Sequence, residues 1–175
     1  MAKPHFLERL SGSGSDTRRT VNPAAALAHA DIARLIPHQG SMCLLASVEA
    51  WDREGIVCHA RNHRDLGHPL RTASGLLSTC LIEYAAQAMA LHGALRAGGL
   101  GNALPIQPGF LAAARNVQFT RLRLDDLPAA TPDELRIVAS FQAGDARQLL
   151  YEFTALHAGV RLASGRVSVV LKPKE

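Results

Sequence analysis

A single carboxylate, Glu83, interrupts an apolar, proline-free run that reads GLLSTCLIEYAAQAMALHGALRA from Gly75 to Ala97. Alanine, leucine and methionine are strong helix formers, so this run predicts one long helix. Its length could match the roughly 20 residues that cross a bilayer. Yet Leu76 to Leu95 also carries Glu83, Gln87 and His92, and much of its apolar character is alanine. The expectation is therefore a helix buried in a protein core, not a membrane span. A carboxylate there needs a partner or a use. Gln87 lies one turn further on, on the same face as Glu83.

The rest of the chain supplies what would surround that helix. Met1 to about Asn22 includes the Gly/Ser-rich stretch SGSGSDTRRT, and residues 1–30 are expected to be a flexible tail. Residues 31–175 are expected to form one domain, a size that can bury a full core. Pro23 to Ile36 is partly helical in expectation and ends before Pro37. MCLLASVEAWD and EGIVCHARN read as strands, Arg64 to Ala73 as a polar connection, and the central helix follows. FLAAARNVQFTRLRL, DELRIVASFQAG, RQLLYEFTALHAG and VRLASGRVSVVLK then read as further strands. Turn signals sit at Asp125–Pro132, Gly144–Asp145 and Gly159, and the last two strands predict a hairpin turning at Ala158–Gly159. One apolar helix with an antiparallel sheet wrapped around it is an α+β architecture.

Composition narrows the function. The net charge is +4, carried mostly by arginine, with lysine only at Lys3, Lys172 and Lys174. No basic run interleaved with aromatics and no nucleic-acid module is present, so nucleic acid is not an expected partner. Arginine also suits docking of an acidic or phosphorylated carrier. Cys43, Cys58 and Cys80 fit no zinc or redox spacing and read as free thiols, which points to a reducing compartment, the cytoplasm. The N-terminus MAKPHFLERL has no apolar signal core.

The element order, taken with particular residues, resembles the hotdog fold and, within it, the β-hydroxyacyl-acyl-carrier-protein dehydratases. Three segments carry the resemblance: IARLIPHQGSMCLLASVEAWD (Ile32 to Asp52), CLIEYAAQAMA (Cys80 to Ala90) and NVQFTRLRL (Asn116 to Leu124). The form Pro37-His38 with Met42, and Ile82-Glu83-Tyr84 with Ala86 and Gln87, is similar to the dehydratase-like proteins of aryl-polyene and xanthomonadin pigment clusters. Where classical dehydratases have Gly-His-Phe-Pro before the helix, this chain has Gly67-His68-Pro69-Leu70, and Leu77-Ser78 stands in place of the usual Pro-Gly. The resemblance implies a homodimer or heterodimer of hotdog subunits, an acyl chain delivered by an acyl carrier protein, and no cofactor.

Dehydration of a 3-hydroxyacyl thioester needs a base for the C2 proton and an acid for the C3 hydroxyl. A histidine and a carboxylic acid can divide this work. Glu83 is the expected acid, its pKa raised by an apolar pocket so that it stays protonated. An alternative for Glu83 is an ion pair with an arginine such as Arg71. His68 is the first choice for the base and His63 the second. Gln87, Gly75 and His38 are expected around the substrate, Gln87 orienting Glu83 and His38 following Pro37 against the lead helix. His59, His63 and His68 do not have metal-ligand spacing, and no metal is expected. Two other functions remain open: a hotdog thioesterase using the same carboxylate on water, and a weakly active subunit that pairs with an active dehydratase.

Overall fold

The computed structural model describes residues 27–98, 109–145 and 147–172. Most of the expected tail lies outside the described residues, as do residues 99–108. The described chain begins at Leu27, which is buried, and Ala28 pairs with Ser47.

Helix α1 runs over His29–Leu35 and stops where Ile36 turns extended ahead of Pro37. A 3-10 turn follows at Gly40–Met42. Strands β1 (Ser47–Trp51) and β2 (Gly55–Ala60) form the first hairpin. A 3-10 turn at Ser78–Cys80 leads directly into α2 (Leu81–Arg96). Then come β3 (Gly109–Phe119), β4 (Leu135–Gly144), β5 (Gln148–His157) and β6 (Val160–Leu171). All pairings are antiparallel, and the strand order is β1-β2-β4-β5-β6-β3. The hairpin between β5 and β6 turns at Ala158 and Gly159, whose φ values of 48° and 77° are both left-handed, as a two-residue turn between twisted strands requires.

Helix α2 begins six residues after Gly75, the start its composition suggests, with the 3-10 turn at Ser78–Cys80 leading into it. Thr72 and Gly75 exchange backbone hydrogen bonds at 3.1 and 3.0 Å, closing a turn. Leu76–Ser78 then runs extended beside residues 122–124, with Leu124 N–H donating to Leu76 O at 2.8 Å and Ser78 N–H to Leu122 O at 2.9 Å. That pairing also explains why the strand expected to continue through Leu124 ends at Phe119.

The sheet curls around α2. Leu81, Tyr84, Ala85, Ala88, Met89 and Leu91 of the helix are buried against Ile56, Cys58, Ile137, Tyr151 and Phe153 of the strands. His92 also joins this core, bonding Tyr151 Oη at 2.8 Å and Asp52 O at 2.7 Å. Fully buried and bonded on both nitrogens, it ties the helix to β5 and to the β1–β2 turn. Cys43 and Cys58 are buried, Cys80 is half-buried, and all three are free thiols. Among the described residues no helix is long and apolar enough to cross a membrane.

Candidate active site

Gln87 organises the site. It is fully buried, and its Nε2 donates both to Met42 O at 2.8 Å and to Glu83 Oε1 at 2.9 Å. Its Oε1 accepts the Leu44 N–H at 2.8 Å. One amide thus fastens the segment after α1 onto the face of α2 that carries Glu83. Gln39 anchors the other side of that segment by donating to Ala33 O at 2.7 Å and Ile36 O at 3.2 Å. Between these two anchors sits His38, whose Nε2 lies 3.2 Å from Glu83 Oε1.

The contact fixes the chemistry of both groups. A carboxylate can only accept, so the proton in this contact is on Nε2. His38 Nδ1 is shielded and has no hydrogen-bond partner. The two side chains remain 27% and 30% exposed, open enough to meet a substrate. The hydrogen bond from His38 lowers the Glu83 pKa, burial opposes this, and the hydrogen bond from Gln87 adds to the lowering. The expectation of a raised, protonated Glu83 is therefore reversed. The pocket is not purely apolar, and two donors outweigh desolvation.

The other expected residues lie elsewhere. His68 is buried, and its Nδ1 accepts the Leu70 N–H at 3.1 Å. Its Nε2 therefore bears the proton and donates to Tyr84 Oη at 2.9 Å, while Tyr84 donates to Asn62 Oδ1 at 2.7 Å. This relay sits on the side of α2 next to Glu83, not against it, and burial lowers the pKa of His68. His63 is buried beside Asp133 and His157. Gly75 has a φ of +95° and lies under the Arg123 guanidinium. Arg71 is paired with Asp125 at 2.7 Å.

His38 is the expected residue whose place depends most on tertiary contacts. It is expected at the substrate but against the lead helix, whereas its imidazole faces Glu83 across 45 positions of sequence. The available signal was Gln87, a buried amide with four hydrogen-bonding positions to satisfy. Its partners outside the helix, Met42 O and Leu44 N–H, lie a few residues after Pro37-His38.

The fold and this site define a hotdog protein, a curled antiparallel sheet around one long helix, with a histidine–carboxylate pair on the helix face. Residues 30–175 match the ApeP-like family, described as ApeP dehydratase, and the chain belongs to that family. Among solved structures, the dehydratase heterocomplex ApeI:P from Xenorhabdus doucetiae is similar at a TM-score of 0.68 and 22% identity, covering 82% of this chain and 91% of that one. A mutant thioesterase from Pseudomonas aeruginosa is similar at a TM-score of 0.51 and 13% identity, covering 73% and 81%. At these identities the likenesses bear on the fold. No curated protein gives a significant sequence match.

Proposed function

We propose that this chain is a dehydratase of 3-hydroxyacyl thioesters carried on an acyl carrier protein, working in aryl-polyene biosynthesis with a second hotdog subunit or a second copy of itself. Membership of the ApeP-like family supports the reaction class. The observation that carries the mechanism is the His38–Glu83 contact, with a free Nδ1 on the histidine.

In this reading His38 is the base for the C2 proton of the substrate, which requires its shielded Nδ1 to become accessible as the acyl chain enters. Glu83, held ionised by His38 and Gln87, stabilises the imidazolium that forms, as a carboxylate behind a histidine does in general-base catalysis. The C2–H electron pair becomes the C2=C3 double bond as the C3–O bond breaks. The pair returns the proton to the departing hydroxyl, which leaves as water. The reaction is balanced within the site and consumes no further reactant. Gln87 keeps the segment carrying His38 in register with the helix. His68 takes a positioning role by holding Tyr84, the neighbour of Glu83.

The test is turnover of a 3-hydroxyacyl carrier protein by the full chain, alone and with a partner hotdog subunit, read by mass spectrometry of the carrier. Loss of one water with the thioester intact is the expected result. Thiol release from a saturated acyl thioester would make the chain a thioesterase instead. An unchanged carrier under both conditions would overturn the dehydratase reading.

A further inference from the structure

A second cluster lies apart from the His38–Glu83 pair, where the loop after β2, the loop before β4 and the end of β5 meet. Asp133 Oδ1 is 2.8 Å from His157 Nε2 and 3.4 Å from His63 Nε2. Both imidazoles are buried. The Arg64 guanidinium donates from Nε to the other carboxylate oxygen, Oδ2, at 2.6 Å. Its Nη2 bonds Leu127 O at 2.8 Å. Arg64 Nη2 also lies 3.3 Å from Oδ1, so the guanidinium holds both carboxylate oxygens, and Oδ1 additionally faces two histidines.

Asp133, Arg64 and His157 alone would be an ordinary structural network, but His63 is left over. Only 1% of its surface is exposed, its Nδ1 has no hydrogen-bond partner among the described residues, and its Nε2 has only the long 3.4 Å contact with Asp133. A buried imidazole nitrogen without a hydrogen bond is costly and calls for an explanation, a bound water or ion among them. The three candidate ligand atoms lie within 4.8 Å of one another. Around a tetrahedral zinc ion with bonds of about 2.1 Å, ligand atoms stand about 3.4 Å apart. The His63–Asp133 spacing already equals this, and the His157–Asp133 contact needs to open by about 0.6 Å.

We propose that His63, Asp133 and His157 form a binding site for a transition-series dication such as Zn2+, with Arg64 orienting the carboxylate from behind. Two imidazoles and one carboxylate oxygen suit such ions and not Mg2+ or Ca2+, which take oxygen ligands. The carboxylate is fixed by an outer partner, as metal-bound carboxylates commonly are. The ion would join three segments that are distant in sequence and so act on stability.

The full chain, stripped with a chelator, is titrated with ZnCl2 by calorimetry and followed by thermal unfolding. One Zn2+ per chain and a raised Tm are expected, with both effects lost in Asp133→Asn and His63→Gln and kept in the control His59→Gln. Failure of the wild type to bind, or binding retained in both cluster variants, would overturn the site. Should those variants not fold, the zinc X-ray absorption spectrum of the wild type decides. A nitrogen and oxygen shell containing imidazole is expected, and sulfur scattering would place the ion on cysteine and refute the assignment.

Discussion

At the scale of single residues, the site turns on which histidine meets Glu83. Sequence placed the carboxylate and Gln87 on one helix face because a spacing of four residues guarantees it. It could not place the histidine, because three histidines lie on loops whose paths depend on tertiary contacts. His38 and His68 consequently make opposite predictions. His38→Ala should lower kcat/KM by about 10²–10⁴-fold, the range for loss of a general base, with Tm nearly unchanged. His68→Ala should instead lower Tm, because it strips a buried hydrogen bond from Tyr84, at a cost of about 1–3 kcal/mol. The reverse pattern would make His68 the base. Glu83→Gln should also lose turnover while keeping the fold. The ionisation of Glu83 has its own test. Its folded pKa lies below the ordinary value of about 4.3, so its bond to His38 is intact above that value and is lost as pH falls through the lower folded one. A carbon-13 NMR titration of Glu83 should give a midpoint below about 4.3, and a midpoint above it would restore the protonated acid.

At the scale of elements, the strands and the β5–β6 turn were legible from alternation and turn residues, whereas the start of α2 was not. Gly75 and Leu76 look helical by composition, but Gly75 closes a turn with Thr72, and Leu76 O and Ser78 N–H pair with Leu124 and Leu122. Tertiary pairing overrode local propensity. Gly75 is required there twice, by its φ of +95° and by the Arg123 guanidinium 2.6 Å from where a Cβ would lie. Gly75→Ala should destabilise by about 1–3 kcal/mol, since Arg123 can yield only by disturbing its pairing with Asp125. Gly67→Ala has open space around it and should stay within about 0.5 kcal/mol. Chemical denaturation of both variants compares them. His92 adds a pH dependence to the same helix. Burial lowers its pKa to about 4 in the folded chain, against about 6.5 when unfolded. Between these values the unfolded chain binds the extra proton, so stability is full above about pH 6.5 and falls as pH drops toward 4, by on the order of 3 kcal/mol. His92→Gln should be less stable at pH 7.5 but lose less between pH 6.5 and 4. An unchanged slope would remove His92 from this role.

At the scale of the whole molecule, β3 is, among the described residues, the longer of the two edge strands. It lies at the edge of the sheet, paired only with β6, and is exposed along most of its length. Phe110 is 64% exposed and Leu111 47%. Long apolar edges are normally blunted by lysine, proline or a very short strand. β3 has 11 residues and, from Gly109 to Phe119, neither lysine nor proline. The opposite edge, β1, has only five residues. An edge left this open is suited to continuing the sheet into another hotdog subunit, which gives the proposed pairing a physical place. Leu111→Lys combined with Ala114→Lys should therefore convert the chain, or its complex with a partner subunit, to a monomer by light scattering. The sheet signal in circular dichroism should persist, because both positions lie outside the buried core. An assembly of unchanged mass would move the interface off β3. A monomeric variant that keeps the full turnover of the assembly would show that pairing is not needed for the chemistry, and would leave the His38–Glu83 pair sufficient within one subunit.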